Sequence, residues 1–288
     1  MEERVLVAGT SGALGMEVLK LLHEKDLQLR GLVFTHDGAE KVSPYTKDVW
    51  EADASKGNLE IKDITKDVSI VISALGKSVS LFTNRGNSFL ENDFYANSNL
   101  LDDALKNGVK RFVYVSIKGV EEAPEFEIPK AHKMFEDALA SSGIDYTIIR
   151  PVGFFSGLHD LAIMAKRKVI PIVGDGSART NSIHQKDLAE IVVENLQEGP
   201  RVLEVGGPLI HTRLEMAEMI KKKIGGKIVK VPEKLAEWGM VLPELVNEDA
   251  SAKLKYFKYI TTHDMVGEKH GHRTFEEYLE NLDLKDLP

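Results

Sequence analysis

Candidate chemistry begins a few residues into the chain. The apolar run Val5-Leu6-Val7-Ala8 leads directly into Gly9-Thr10-Ser11-Gly12-Ala13-Leu14-Gly15, after which Met16, Val18, Leu19 and Leu22 recur at helical spacing. A strand, a glycine-rich turn and a helix in that order make a pyrophosphate site. The glycines let the backbone turn tightly and approach the ligand, and free N–H groups at the helix N-terminus meet its charge. The spacing is Gly-x-x-Gly-x-x-Gly rather than the common dinucleotide fingerprint Gly-x-Gly-x-x-Gly. Glycines alone say little; the strand–turn–helix context gives the pattern its weight.

The second informative position is the end of the next strand, about 20 residues beyond the glycines, where an acid would hold an adenosine ribose 2′-hydroxyl. Phe34-Thr35-His36-Asp37 stands there. No acid sits directly at the strand end, which disfavours a simple NAD clamp. No Arg sits there either, and Arg30 falls inside the strand. His36 and Lys41 could supply positive charge from the loop, or could be solvated loop residues. The balance leans slightly to NADP, with NAD as the alternative.

These residues need a scaffold, and the chain supplies one. Apolar runs at 5–8, 28–34, 69–74, 111–116 and 146–150 are rich in Val and Ile without clean polar alternation, as strands covered on both faces are. Helical patterns at 16–23, 97–106 and 132–140 lie between them, and Gly108 and Gly143 mark the ends of the last two. Such alternation predicts right-handed crossovers and an α/β, doubly wound parallel sheet. Beyond Pro151 the pattern loosens. Residues 169–173, 201–205 and 227–231 read as short strands and 187–197 as a helix. Thr212 with Glu215 forms a capping box opening a helix to Lys223, and 275–282 is weakly amphipathic. The predicted organisation is a nucleotide-binding body at 1–152 and a smaller, partly interleaved substrate lobe at 153–288, with return of some of its segments to the first sheet left open.

Composition narrows the classes. The 288 residues carry 37 Lys plus Arg against 45 Asp plus Glu, a net charge of −8 that argues against nucleic-acid or anionic-membrane partners. With no Cys, thiolate nucleophiles, iron–sulfur clusters and Cys-based zinc sites are excluded, so redox chemistry must come from a bound cofactor. No apolar run approaches a spanning helix. The start, Met1-Glu2-Glu3-Arg4 followed at once by a short apolar run, lacks the pattern of a signal peptide, so a cytoplasmic protein with a small-molecule substrate is expected. Oligomeric state is not legible.

With these residues in view, the chain resembles the atypical short-chain dehydrogenase/reductase superfamily, and within it the NmrA-like NAD(P)-binding proteins, over nearly its whole length. Gly9 to Gly15 matches the phosphate loop. Asp53-Ala54 resembles the family's Asp after the third strand, implying adenine contact, and Ser73-Ala74-Leu75-Gly76 the turn lying along the cofactor. The stretch from Gly108 to Ser116 matches the fifth strand and the helix end before it. Ser142 to Pro151 is the most diagnostic segment, followed by Gly153-Phe154-Phe155; Pro151, Gly153 and Phe154 are thereby implied to line the nicotinamide side. Gly174-Asp175-Gly176, Ile183-His184 with Asp187-Leu188-Ala189, and Val205-Gly206-Gly207-Pro208 resemble the C-terminal lobe. A Rossmann-type fold is implied.

One departure limits the functional expectation. Catalytic members of the superfamily use Tyr-x-x-x-Lys, the Lys lowering the Tyr pKa so that the Tyr can move a proton. Registering the chain through Glu136 and Thr147 puts His132 at the Lys position and Ile128 at the Tyr position; a one-residue shift gives Pro129 and Lys133, still without Tyr. A His there resembles one branch of NmrA-like proteins that includes quinone reductase-like members. His132 could bond the nicotinamide ribose, donate a proton near neutral pH, or be an ordinary helix residue beside Glu121, Glu122, Glu125 and Glu127. Ser116, at a strand's carboxyl end, could orient a substrate carbonyl or satisfy local backbone.

Other signals carry less. His263, His270 and His272 lack a carboxylate pattern for zinc. His184 and Asp187 suit a helix start, and Lys221-Lys222-Lys223 a helix end. Trp238, Met240 and Leu242 suit core packing as well as a pocket. The leading expectation is NAD(P)H-dependent hydride transfer to a small carbonyl or quinone-like acceptor. The alternatives are a non-catalytic NAD(P)-binding sensor, regulator or assembly factor and, more weakly, an isomerase or reductase of a specialised metabolite.

Overall fold

Five apolar segments of the first half form adjoining strands of one sheet. The structure, a computed structural model, describes residues 3–57, 59–82, 87–236 and 248–283. The strands are β1 (Arg4–Ala8), β2 (Gln28–Val33), β3 (Asp48–Glu51), β4 (Ile70–Ser73), β5 (Arg111–Val115) and β6 (Asp145–Pro151). The helices among them are α1 (Ala13–Glu24), α2 (His36–Val42), α3 (Ala96–Lys106) and α4 (Glu127–Ser141). Then follow α5 (His159–Lys166), β7 (Val169–Val173), β8 (Arg179–Thr180), α6 (Gln185–Glu194), β9 (Val202–Gly206), β10 (His211–Thr212), α7 (Arg213–Ile224), β11 (Lys227–Val231), a helix Glu248–Thr262, β12 (Glu268–Lys269) and a helix Phe275–Glu280. The mostly parallel eight-stranded sheet runs β12-β9-β6-β5-β4-β1-β2-β3, a Rossmann-type α/β fold. Strand order reverses between β1 and β4, where such sheets bind ligands.

The described chain divides into two units, 1–77 with 87–150 and 185–203, and 78–86 with 151–184 and 204–288; two of the boundaries fall within β6 and β9. In the first unit Leu6, Ala8, Leu32, Val71, Phe112 and Ile148 pack with Leu100, Leu101 and Ala104 of α3 and Phe135 and Leu139 of α4. Strand alternation turns Val5 and Val7 to the opposite face, where α1 lies on β1 and β2 and α6 packs on α1. Buried Arg111 ties the returning segment in: its guanidinium donates to the carbonyls of Asn195 and Leu196 at 3.1 Å each, to Thr147 at 2.6 Å and to Asp145.

In the second unit β7 pairs in parallel with β11 and β8 antiparallel with β10. Phe155, Ile170, Ile172, Met216, Ile220, Phe275 and Leu279 form its core. The capping box at Thr212 and Glu215 is present at the start of α7. Asn181 donates to the carbonyls of Gly207 and Gly267 and accepts from the Gly267 N–H, so a Cβ on Gly206 would come 2.1 Å from its side chain. Among the described residues, no helix is long and apolar enough to cross a membrane. Trp238, Met240 and Leu242 lie outside the described residues.

Three elements differ from the sequence reading. His36 and Lys41 belong to α2 rather than to a loop, because Thr35 caps that helix by accepting the Gly38 N–H at 3.2 Å. The β3 strand, half exposed and too short to show a period, had no signal of its own. Helix α4 begins five residues before His132, at Glu127, since Pro129 lies in its first turn, where no intrahelical N–H is needed.

Candidate functional site

The glycine turn is held by contacts that leave no room for side chains. Gly9 has φ +82°, and a Cβ there would come 2.7 Å from the Ala74 carbonyl oxygen. A Cβ on Gly15 would come 2.2 Å from the Gly9 carbonyl oxygen. These close approaches press the start of α1 against the strand ends at the switch point. Gly12 stands at the N-cap, and no side chain caps the helix, so its first-turn amides are available to an anion. This donor set fits a dinucleotide pyrophosphate. Ser11, Gly12 and Ala13 are exposed at the tip, whereas Thr10, Leu14 and Gly15 are buried beneath it. The Thr10 hydroxyl donates inward to the Leu32 carbonyl at 3.0 Å.

At the end of β2, Phe34 is 52 % exposed. His36 Nδ1 lies 3.2 Å from Glu51 Oε2 and Nε2 3.8 Å from Glu40. An acid therefore does stand beside this strand end, but it comes from β3, whose Glu51 pairs in register with Val33. Arg30 is buried and held by Asp48 and the carbonyls of Ile64 and Lys66. Asp53 opens the short 3-10 turn Ala54–Lys56. One carboxylate oxygen accepts from the Ser55 N–H and hydroxyl, the other from Asn87. Partial burial acts against the charge on Asp53, yet these hydrogen bonds outweigh it and hold its pKa below the usual value.

The turn after β4 is anchored from below. Ser73 donates its hydroxyl hydrogen to Asn97 Oδ1 at 2.5 Å, and the Lys77 N–H donates to Asp93 Oδ1 at 3.0 Å. A Cβ on Gly76 would come 2.9 Å from the same Asp93 oxygen. Asp93, 1 % exposed, sits in the π-helical turn Leu90–Tyr95 that leads into α3. Its Oδ1 is 3.6 Å from His132 Nε2, and on the other side of the ring Nδ1 lies 2.6 Å from the Tyr114 hydroxyl. Sequence reasoning missed both Asp93 and Tyr114. The available signal was the helical spacing of Phe89, Asp93, Asn97 and Leu101, which puts two polar residues on a core-facing stripe. Tyr114 reads as one more strand-core aromatic.

Burial dominates the electrostatics. It pushes the Asp93 carboxyl up to about 8, the His132 imidazole down to about 4, and the Tyr114 phenol well above its usual value. His132 is thus neutral near pH 7 rather than poised to titrate there, because its ring is enclosed. One turn along α4, Glu136 accepts both Nε and Nη2 of Arg150, forming a buried ion pair that Glu121 extends. Ile128, at the Tyr position of the catalytic pair, is 1 % exposed. Lys133 pairs with Asp137 on the outside of the helix.

Ser116 is buried, and its Oγ has no hydrogen-bond partner among the described residues. Ala74 and Leu75 are half-buried and Gly76 exposed; Ala54 is buried. The structure therefore brings the glycine turn, Asp53, the turn Ala74–Gly76, Ser116 and His132 into one unit. Pro151, Gly153 and Phe154 belong to the other. There Gly153 adopts φ +148° and its carbonyl accepts the Ile183 N–H, while Phe154 bridges to Ile183. His184 packs edge-on against Phe155 and Tyr278. His263 stacks on Tyr259 at the end of its helix.

Three comparisons bear on this arrangement. A family model described as NAD(P)H-binding matches residues 9–199. The chain is 27% identical to the chloroplastic divinyl chlorophyllide a 8-vinyl-reductase of Cucumis sativus, over 92% of this chain and 69% of that protein. It is 24% identical to the photosystem II assembly factor Ycf39 of Cyanidium caldarium, over 66% of this chain and 60% of the relative. The crystal structure of an NADPH-dependent quinone oxidoreductase from Escherichia coli, complexed with NADPH, superimposes with a TM-score of 0.71 at 18% identity, covering 96% of this chain and 98% of that one. That last likeness is one of fold.

Proposed function

The chain belongs to the NAD(P)H-binding family, and from that premise we propose that it is an NAD(P)H-dependent oxidoreductase acting on a small carbonyl or quinone-like acceptor. The carrying observation is the glycine turn, where the Cβ positions of Gly9 and Gly15 are already filled by backbone and the first turn of α1 is uncapped. A bound nicotinamide dinucleotide supplies the hydride. The protein's part is to bind and orient. Backbone N–H groups of Ser11 and Ala13 hold the pyrophosphate, that of Gly12 being spent on the Gly9 carbonyl; Asp53 and Ala54 flank the adenine, and Phe34, Thr35 and His36 flank the adenosine ribose. Ala74, Leu75 and Gly76 lie along the dinucleotide. His132 bonds the nicotinamide ribose as a neutral imidazole, and the unpaired Ser116 hydroxyl donates to the acceptor oxygen. A quinone suits a site without a tyrosine acid, since its developing oxyanion is delocalised. The dinucleotide is NADPH or NADH, and Glu51 beside the end of β2 suits the free 2′-hydroxyl of NADH.

A second reading is a dinucleotide-binding factor that does not turn over. It is favoured by buried Ile128 at the acid position and by a relative named as an assembly factor. Both readings require a rise in melting temperature with NADPH or NADH, and no shift with either at millimolar concentration overturns both. Where a shift occurs, NADPH oxidation followed at 340 nm across a panel of quinones and aldehydes separates them. Turnover supports the enzyme; binding without turnover on any of them supports the factor.

A further inference from the structure

Asp93 is the polar centre of the first unit, and the dinucleotide reading above gives it no task. It meets three elements at once. From the turn after β4 it receives the Lys77 N–H, and a Cβ at position 76 would press on the same oxygen at 2.9 Å. From α4 it faces His132. Along its own helix its backbone carbonyl accepts from Asn97, whose amide oxygen in turn accepts the Ser73 hydroxyl. Asp93 Oδ2 is buried with no hydrogen-bond partner among the described residues. Neither a surface cap nor an ordinary ion pair has this form.

We propose that Asp93 is a positioning residue for the dinucleotide, fixing the turn Ala74–Lys77 and His132 against one another so that both meet the nicotinamide end in register. This rests on the dinucleotide reading. A dinucleotide lying along residues 74–76 and bonded by His132 touches two elements whose spacing is set by a single carboxyl. A short, stiff linkage of this kind confers more precision than two independently placed groups.

The same geometry links Asp93 to the redox state of the ligand. The titratable and charged groups facing it are Lys77 from the turn, His132 from α4 and, on the far side of that ring, Tyr114 from β5. Lys77 Nζ is directed to the Asn87 carbonyl and the face of Phe89. An uncharged carboxyl tolerates the uncharged reduced nicotinamide. Ionisation as pH rises through about 8 places a buried negative charge there, which favours the cationic oxidised ring.

The experiment measures dissociation constants of NADPH and NADP+ by calorimetry from pH 6.5 to 9 for the wild type, Asp93→Asn and Asp93→Ala. In the wild type, preference for NADP+ over NADPH should grow threefold or more across that range. Asp93→Asn, which keeps shape without titrating, should bind NADPH within threefold of wild type at pH 7 and show no such drift. Asp93→Ala should bind both forms at least tenfold more weakly. The proposal is overturned if Asp93→Ala binds within threefold of wild type, if Asp93→Asn loses binding at pH 7, or if it drifts as the wild type does. Failure of the wild type to bind either form instead overturns the dinucleotide reading itself.

Discussion

A buried carboxyl facing a buried imidazole titrates as a pair, and the pair's proton count sets how stability responds to pH. Between pH 4 and 8 the folded Asp93 keeps a proton that its unfolded form, with a usual value of 3.8, has lost, so this residue lowers stability as pH rises. His132 works the other way. Its folded value near 4 against 6.5 unfolded means that stability is lost as pH falls through that window. The two slopes cancel between pH 4 and 6.5, and Asp93 acts alone from 6.5 to 8. Over that upper interval the wild type should lose about 2 kcal/mol relative to Asp93→Asn, measured by denaturant unfolding at fixed pH. Parallel curves for the two proteins would mean that Asp93 is ionised throughout. Tyr114→Phe should cost about 1–3 kcal/mol by leaving His132 Nδ1 buried without its partner, read in the same assay. His132 was legible as a candidate because registering the chain on the family's Tyr-x-x-x-Lys pair put it at the Lys position. Its partners were not: the stripe Phe89, Asp93, Asn97 and Leu101 marks Asp93 as core-facing, but no local pattern pairs it or Tyr114 with His132, which arrives from another helix.

Among the elements, the glycine turn was legible in full because its demands are local: positive φ at Gly9 and backbone contact at Gly15 both follow from residues within the motif or one strand away. Gly15→Ala therefore tests the turn directly. Its methyl group would meet the Gly9 carbonyl backbone, which cannot swing aside, so α1 must shift. The expected loss is about 1–3 kcal/mol of stability and at least a tenfold weaker NADPH affinity, seen in thermal melts with and without ligand. An unchanged affinity would remove the turn from the site. The β2–α2 junction was not legible in the same way. Residues 34–37 carry loop-like polarity, yet Thr35 caps a seven-residue helix whose Gly38 rests on Ser11, with Ser11 Oγ 3.0 Å from a Cβ placed there. Glu51 reaches His36 only because β3 pairs beside β2. That pairing is tertiary information, which no pattern around residues 34–37 carries.

Across the whole molecule, chain order and folding unit part company. A cut after residue 152 looks natural in the sequence, since Pro151 ends the diagnostic strand segment and the pattern loosens beyond it. Yet residues 185–203 belong to the first unit. Helix α6 covers α1, and the carbonyls of Asn195 and Leu196 complete the hydrogen bonds of buried Arg111. Removing them uncovers the apolar side of α1 and leaves a buried guanidinium short of acceptors, a combination that costs several kcal/mol against a typical total of roughly 5–15. Residues 1–152 alone should therefore show no cooperative unfolding transition. A chain ending at residue 203, with a flexible linker in place of 151–184, should recover one, because lengthening or shortening a surface connection costs little beside restoring a helix and two buried hydrogen bonds. Circular dichroism melts of the two polypeptides decide the matter. Cooperative unfolding of 1–152 by itself would show that α6 adds nothing the first six strands require.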